Sequence, residues 1–322
     1  MDRKWEISTQ SGNWYKEDAP EESIRFIREC GFEGIDYNIG NLFTSTFDAT
    51  RLTSFFDKSI PEMREYYQPM IDAAHKYGIH ISQAHGLFPI FYHPDIFPEK
   101  SPQNDYLLKV TEKMMAVCDM LDCRYFVVHP VAMYTLLKTR EREINLNLYR
   151  RLLPAAKKYN ITICLENLLH WDKSRKTWCE GICCDPMEAC DYIDTLNAEA
   201  GAEQYGLCFD VGHAHAAGKN LYHYVTTLGT RIKVLHLHEN NSMTDAHMMP
   251  FTQPDAIVGQ HQSLPWESFL KALKEIEYSG PLSFETFRAI DFMPPALRSD
   301  ALKFIGCIGS YFRTCLESGY DK

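Results

Sequence analysis

Short apolar runs alternate with longer amphipathic stretches along this chain. The runs are rich in β-branched and aromatic residues, which is typical of buried strands, whereas the stretches between them show the apolar spacing of helices. Strands that alternate with helices build parallel sheets. Eight strands are predicted, at residues 5–8, 34–39, 79–85, 124–130, 161–167, 205–211, 232–238 and 281–286.

Several of the helical stretches carry their own start and stop signals. Pro20 suits a first helical turn and Gly31 suits a helix end, so a helix is predicted between them. A second helix is predicted to end at Gly78. A third is predicted between Ser263, which is a favourable N-cap, and Gly280.

Eight βα units in 322 residues predict an α/β fold of the (β/α)8 TIM-barrel type. No Gly/Ser linker or charge block interrupts the chain, so residues 1–322 are expected to form one barrel domain with long βα loops over its C-terminal face. The alternative is a doubly wound open sheet. That fold would be expected to carry a G-x-G-x-x-G motif after the first strand, which this sequence lacks.

Charge and cysteine usage narrow the class of protein. The net charge of −10 opposes a protein whose main task is to bind nucleic-acid backbones, although a local basic patch would still permit it. The eleven cysteines lie scattered in apolar runs, and no apolar segment is long enough to span a membrane. We therefore expect free thiols and a cytoplasmic enzyme. Another interpretation is a soft-metal site, for which the candidates are Cys179, Cys183, Cys184 and Cys190, but their spacing contains no C-x-x-C pair.

Residues that can bind metals stand where the predicted strands end. Strands three to eight end at His85, His129, Glu166, Asp210, His236 and Glu285, and His213, His238, Asp245 and His247 follow closely. Each could instead be a hydrogen-bonded rim residue or a helix cap. However, the C-terminal strand ends of a barrel converge, and carboxylates brought together there would repel one another without a cation between them. We therefore predict a divalent metal bound by Glu166, Asp210, His236 and Glu285, with Mn²⁺ first and Zn²⁺, Co²⁺ or Mg²⁺ as alternatives.

Four motifs, in this order, resemble the xylose isomerase-like barrels: "ICLEN", "CFDVGHAHAAG", "VLHLHEN" and "GPLSFET". That superfamily contains sugar isomerases and epimerases, inosose-processing enzymes and metal-dependent AP endonucleases, and the resemblance covers essentially the whole chain. In the epimerases, the equivalents of the four predicted ligands hold one metal, and the equivalent of His213 contacts the substrate. The resemblance implies that the metal binds two substrate oxygens and stabilises an enediolate, while Glu166 and Glu285 remove and return the proton.

One position departs from that pattern. The epimerases can carry an arginine shortly after the metal-binding histidine of strand seven, where this chain has Ser242. The substrate contact that this arginine makes is therefore not expected here. His215, in the same motif as His213, is interpreted as structural.

The AP endonucleases of the superfamily use three zinc ions, and this sequence contains all their ligand types. The resemblance would place His85, His129 and Glu166 on one metal and Glu166, Asp210, His236 and Glu285 on the second. The third would take His213, Asp245 and His247. Sugar-type members also retain such residues for substrate hydroxyls or proton relays, so the match does not separate the two classes. The net charge favours the sugar enzymes.

Aromatic residues are frequent in the loops that would cover the site. Trp14, Phe88, Trp171 and Trp178 are interpreted as substrate-loop residues, together with Phe43 and Phe47, although packing beneath long loops is an equal alternative. An aromatic mouth also resembles the larger subunit of C-glycoside deglycosidases, which cleave 3-oxo sugars from an aromatic aglycone and work with a smaller β-type partner subunit. In that case His129 would act as the base. A basic stretch, Lys173 to Lys176, is interpreted as a solvated loop or a sugar-phosphate contact.

The leading hypothesis is a metal-dependent isomerase or epimerase of a sugar, polyol or keto-sugar, with Glu166, Glu285 and His129 as catalytic residues. Its expected partners are a small carbohydrate or glycoside substrate and further copies of the same chain, without a membrane, and with nucleic acid unfavoured. The alternatives are the deglycosidase, the trinuclear zinc phosphodiesterase, and a barrel that binds carbohydrate without turnover.

Overall fold

The computed structural model describes residues 4–12, 14–42, 55–133, 136–253 and 263–318. Phe43 and Phe47, predicted to be loop residues near the site, lie outside these ranges. Eight parallel strands form the central sheet: β1 (Ile7–Gln10), β2 (Gly34–Asn38), β3 (His80–His85), β4 (Tyr125–Val128), β5 (Thr162–Glu166), β6 (Tyr205–Asp210), β7 (Ile232–His236) and β8 (Leu282–Phe284).

The sheet closes into a barrel, as the sequence predicts. From β1 to β7 each strand pairs with the next, and β8 pairs with β1. Between β7 and β8 the closure consists of a parallel bridge from Leu237 to Phe284. There the Leu237 N–H donates to the Ser283 carbonyl over 2.8 Å, and the Glu285 N–H donates to the Leu237 carbonyl over 3.0 Å. All eight predicted strands are confirmed.

Helices cover the outside of the barrel. The longer ones are Pro20–Glu29, Ile60–Tyr77, Pro102–Met120, Lys138–Tyr159, Pro186–Ala200, Leu221–Leu228, Trp266–Glu275 and Pro295–Ser318, and the short ones are Val211–Ala216 and Phe287–Asp291. Local sequence sets several of their ends. Ser59 and Glu62 form a capping box, Asp185 caps the helix after it, and Gly78 ends its helix in the left-handed conformation. No helix in the described ranges is long and apolar enough to cross a membrane.

Two local predictions are wrong. The helix expected between Ser263 and Gly280 begins only at Trp266 and ends at Glu275, because Glu277 adopts a positive φ of 56° and the Tyr278 N–H turns back to the Leu273 carbonyl. The segment after β5, interpreted as a loop, contains an antiparallel hairpin made of Leu169–Asp172 and Thr177–Glu180.

The barrel interior holds an apolar layer directly beneath the predicted ligands. Val127, Cys164, Cys208 and Val234 are fully buried and pack together. Side chains at i and i+2 of a strand point to the same face. The positions two residues further along are His129, Glu166, Asp210 and His236, so the same strands that place the apolar layer inside the barrel also direct these ligands inward, one layer closer to the mouth.

Candidate metal centre and active site

Glu166, at the end of β5, lies at the centre of the ligand layer. Its carboxylate is 2 % exposed, and its Oε2 lies 3.0 Å from His129 Nε2 and 3.5 Å from His85 Nε2. The two imidazole Nε2 atoms are themselves only 3.0 Å apart. His85 Nδ1 lies 2.9 Å from the Gly86 carbonyl, so it is the nitrogen that donates, and Nε2 of a neutral ring carries the lone pair. Two imidazole nitrogens and one carboxylate oxygen therefore meet at one place, as ligands of a shared cation do.

The other strand ends complete this arrangement. His236 Nδ1 lies 3.4 Å from Glu166 Oε2, 3.4 Å from Glu285 Oε2 and 3.9 Å from Asp210 Oδ2. On the opposite side of the ring, His236 Nε2 lies 3.1 Å from Asp36 Oδ2. A carboxylate behind the ring fixes the tautomer that leaves Nδ1 free to bind a metal. The structure thus brings all four predicted ligands, Glu166, Asp210, His236 and Glu285, to one place.

A backbone N–H and a buried histidine hold the carboxylate of Asp210 in position. Its Oδ1 accepts the His213 N–H over 2.6 Å and lies 3.0 Å from His238 Nε2. His238 is fully buried, and it fits only because residue 212 is glycine, since any Cβ there would overlap its ring. Asp210 Oδ2 lies 3.2 Å from the same His238 Nε2 and 3.9 Å from His236 Nδ1, next to the other predicted ligands.

A second group of ligand-type residues lies beside the first. His213 Nδ1 is 2.9 Å from the Asn167 carbonyl and His247 Nδ1 is 3.0 Å from the Glu285 carbonyl, so each Nε2 is directed elsewhere. Both Nε2 atoms approach Asp245 Oδ1, at 3.5 and 3.0 Å. An imidazole lone pair and a carboxylate oxygen repel unless a proton or a metal ion lies between them.

The electrostatics of the site reflect this crowding of acceptors. Burial opposes a charge on Glu166, but His129 and His236 outweigh burial and hold the pKa of its carboxyl well below the usual range. Burial likewise opposes a charged His213, yet Asp210 and Asp245 raise the pKa of its imidazole well above the usual range. Burial lowers the pKa of His129, which is neutral at neutral pH. Without a metal, protons on histidine supply the positive charge that the carboxylates require.

The donor set suits a divalent cation. Among the described residues, Glu166 Oε2, His236 Nδ1 and Asp245 Oδ1 are buried without a well-aligned hydrogen bond, although each lies next to other ligand-type atoms. Buried polar atoms are otherwise almost always satisfied. Carboxylate oxygens mixed with imidazole nitrogens favour Mn²⁺, Zn²⁺, Co²⁺ or Fe²⁺ over Ca²⁺. The structure therefore makes a divalent metal at this site plausible.

Three further residues support the site, and the sequence patterns assign none of them a role. His238 stands two residues after His236, a spacing that indicates an inward-pointing ring. Asp36 sits behind His236, and Asn167 both donates to the Asp210 carbonyl and accepts the Asp210 N–H. Partners of this kind lie far apart in sequence, and no motif marks them.

A cavity of about 900 Å³ opens over the ligand layer. Of the predicted substrate-loop residues, Phe88 and Trp178 line it. Trp14 packs against Phe26 instead, and Trp171 contacts Trp178 from outside the lining. Arg288, on the short helix after β8, is an additional lining residue.

Several neighbouring features have structural roles. His215 is bonded through both ring nitrogens, to Asn240 and to Ser242, so Ser242 is directed away from the cavity. The basic stretch from Lys173 to Lys176 is the exposed turn of the hairpin and does not line the cavity. The thiols of Cys179, Cys184 and Cys190 each contact a different backbone carbonyl, and the described residues show no metal cluster around them.

Glu239 connects the end of β7 to Phe251 and to the start of the helix Trp266–Glu275. Its fully buried carboxylate accepts hydrogen bonds from the Leu264 N–H at 2.8 Å, the Trp266 indole at 2.7 Å and the Phe251 N–H at 3.3 Å. Burial nevertheless dominates and raises the pKa of this carboxyl to about 7.

A pH dependence of stability follows from Glu239. Its folded pKa of about 7 exceeds the ordinary value of 4.5, so the folded state binds the proton more tightly, and the stability gained below pH 4.5 is lost as the pH rises through 7. We expect this group alone to lower the free energy of unfolding by about 3 kcal/mol between those limits. Denaturant titrations at pH 5 and pH 8 on wild type and Glu239→Gln measure it. Between pH 5 and pH 8 the free energy of unfolding should fall more in the wild type than in the variant. Equal falls would contradict the raised pKa of Glu239.

A family model described as "Xylose isomerase-like TIM barrel" matches residues 24–306. The chain is 23 % identical to an inosose isomerase of Bacillus velezensis over 235 residues, which is 72 % of this chain and 73 % of the relative. It is similar in structure to a 3-keto-D-glucoside 4-epimerase from E. coli, with a TM-score of 0.67, 16 % identity, and coverage of 97 % of this chain and 100 % of the other.

A further solved structure with the same fold contains a metal. The crystal structure of the IOLI protein with a bound zinc atom matches with a TM-score of 0.60 and 16 % identity, over 98 % of this chain and 99 % of the other. At these identities, the structural likeness establishes the fold of the barrel.

Proposed function

Because the chain belongs to the xylose isomerase-like TIM-barrel family, we propose that it is a sugar isomerase or epimerase that transfers a proton at a carbon next to a carbonyl group. The observation that carries the proposal is the placement of two carboxylates, Glu166 and Glu285, each 3.4 Å from His236 Nδ1 at the floor of the cavity. A two-base proton transfer needs such a pair. The names of the relatives, an inosose isomerase and a 3-keto-glucoside epimerase, support this class.

We propose that a divalent cation, Mn²⁺ first and Zn²⁺, Co²⁺ or Mg²⁺ as alternatives, is held by Glu166, Asp210, His236 and Glu285. The zinc bound to the IOLI protein supports a divalent metal in this fold. When bound, the cation would supply Lewis acidity to two neighbouring substrate oxygens and so make the adjacent C–H bond more acidic.

The protein side chains would then divide the remaining tasks. Glu166 accepts the carbon-bound proton and Glu285 returns one, or the reverse, depending on the direction of the reaction. His129, neutral because burial lowers its pKa, is a further base near the mouth. His213 and His247, which both approach Asp245 Oδ1, would bind substrate hydroxyls.

The proposal also includes the cellular compartment and the oligomeric state of the enzyme. The eleven cysteines are all free, which supports a reducing compartment such as the cytoplasm. Self-association into a homo-oligomer remains a prediction.

Solvent exchange tests the proposed reaction. With Mn²⁺-loaded protein in D₂O and a panel of inosose, D-tagatose and D-allulose, we expect NMR to show deuterium entering at the carbon next to the carbonyl of at least one sugar. The Glu285→Gln variant should still bind that sugar but exchange it at least about 100-fold more slowly. Binding without exchange in the wild type would indicate the non-catalytic barrel instead. A parallel sample with a 3-oxo phenyl glycoside tests the deglycosidase, because NMR would then show release of the aglycone.

One observation favours a second candidate, a trinuclear metal phosphodiesterase of the AP endonuclease type. The group around Asp245 and the group around His85, His129 and Glu166 are both compact enough to hold a metal ion. Elemental analysis distinguishes the candidates, because the sugar enzyme predicts one metal per chain and the phosphodiesterase close to three. Cleavage of an abasic-site oligonucleotide by the metal-loaded protein would establish the second activity.

A further inference from the structure

We infer that the substrate carries an apolar group attached to its sugar, and that Phe88, Ile96 and Trp178 form the binding surface for that group. This inference rests on the proposed sugar chemistry at the ligand layer and extends it to the class of substrate, namely a glycoside with an aryl or alkyl substituent.

The cavity has two chemically different parts. Its floor is the layer of carboxylates and imidazoles, whereas its outer wall is mostly apolar and includes Val131, Ala132 and Leu169. The volume of about 900 Å³ lies at the upper end of the range for pockets that hold drug-sized ligands, roughly 300–1,000 Å³. A single sugar ring on the floor would leave the apolar part empty.

Phe88 is unusually exposed for an aromatic residue in a packed loop. It is 74 % exposed, and its ring centroid lies 5.3 Å from that of His129, at the edge of the ligand layer. The loop beneath it is tightly held, since Phe91 and Tyr92 are buried and the Tyr92 N–H donates to Asn104 Oδ1 over 2.8 Å. Packing therefore explains Phe91 and Tyr92 but not Phe88.

Ile96 continues the same surface, and Trp178 adds to it from another loop. Ile96 is 63 % exposed and lines the cavity together with Phe88. Trp178 is half-buried and belongs to the hairpin after β5, where it pairs directly with Trp171, at a ring distance of 5.3 Å. The antiparallel pairing holds the Trp178 ring at the cavity wall. Exposed apolar side chains that cluster at a cleft mark a binding surface.

A free sugar gains little from such a surface. Its hydroxyl groups require hydrogen-bond partners, which the side chains of Phe88 and Ile96 cannot provide, so they would be desolvated without compensation. An aryl substituent would instead bury apolar area and stack against Phe88 or Trp178. From typical aromatic pair energies, we expect about a tenfold gain in affinity over a methyl substituent.

Matched pairs of methyl and phenyl glycosides test this inference. Isothermal titration of the Mn²⁺-loaded protein with both glycosides of D-glucose and D-galactose gives a phenyl-to-methyl affinity ratio for each sugar. The expected ratio is about ten for at least one sugar in the wild type, and it should fall toward one in Phe88→Ala. Phe88→Trp, which keeps an aromatic surface, should retain it, and Ile96→Ser should lower it independently of Phe88.

The control is Phe304→Ala, because Phe304 is a comparably exposed aromatic residue on the last helix that does not line the cavity. The phenyl-to-methyl affinity ratio of this variant should match that of the wild type. A wild-type ratio of one for every sugar, or a ratio that both Phe88→Ala and Ile96→Ser leave unchanged, overturns the inference. Solvent exchange on the free sugars is measured separately. If no free sugar exchanges deuterium but the phenyl-to-methyl affinity ratio is high, the proposed reaction is refuted. If a free sugar does exchange but the ratio is one, only the substrate class is refuted.

Discussion

Replacing Glu166 with glutamine is expected to lower the turnover of sugar exchange by about 10³-fold and to deplete the bound metal. Glutamine preserves the volume of the side chain but removes its charge and its proton-accepting oxygen. Its amide nitrogen would also place a hydrogen-bond donor near His85 Nε2 and His129 Nε2, which now lie 3.5 and 3.0 Å from the carboxylate oxygen Glu166 Oε2. Loss of a positioned general base typically costs 10²–10⁴ in rate, and loss of a shared metal ligand adds to it.

Exchange kinetics and metal content have to be measured on the same preparations. Glu203→Gln is the matched control, because Glu203 is an exposed carboxylate that precedes β6 at the other end of the barrel and pairs with Lys233. We expect this control to retain both wild-type turnover and wild-type metal content. A Glu166→Gln enzyme that turns over at close to the wild-type rate would refute both roles assigned to Glu166.

The barrel and the ligand layer could both be predicted from the sequence, and for the same physical reason. Strands buried on both faces must be continuously apolar, so an acid or histidine at their end is conspicuous, as with Glu166 after "ICL" and Asp210 after "LCF". The C-terminal ends of all strands in a parallel barrel meet at one rim. The positions of these side chains could therefore be inferred without knowing any contact.

Other features depend on tertiary contacts that no local pattern encodes. The hairpin that carries Trp178 alternates over only four residues in each strand, too short to distinguish it from a loop. The helix Trp266–Glu275 is shorter than predicted because both of its ends depend on contacts or backbone turns: Glu239, 27 residues before Trp266, accepts the Trp266 indole N–H, and Glu277 adopts a positive φ after the last turn. The exposure of Phe88 depends on how the loop beneath it packs, so sequence could not separate Phe88 from the buried Phe91.

The metal-binding groups also couple the site to the stability of the whole protein. In the absence of a cation, the positive charge near Asp210 and Asp245 comes from protonated histidines, of which His213 has a pKa well above its ordinary value. A raised folded pKa adds stability below the ordinary value of about 6.5 and loses it as the pH rises through the raised value. The metal-free protein should therefore be destabilised by alkaline pH more than the metal-loaded protein, whose cation replaces these protons.

Chelation of the bound metal is expected to abolish sugar exchange and to lower the melting temperature. A ligand present at 100 times its Kd stabilises the folded state by about 2.7 kcal/mol, which for a chain of this size corresponds to a shift of roughly 5 °C. Calorimetry with EDTA and with Mn²⁺, at pH 6.5 and pH 8.5, measures this shift, which should be larger at pH 8.5 because neutral histidines bind the metal without releasing protons. Elemental analysis before chelation should give one metal per chain. Full exchange activity after chelation, or a shift that shrinks as the pH rises, would contradict a metal centre built from these carboxylates and histidines.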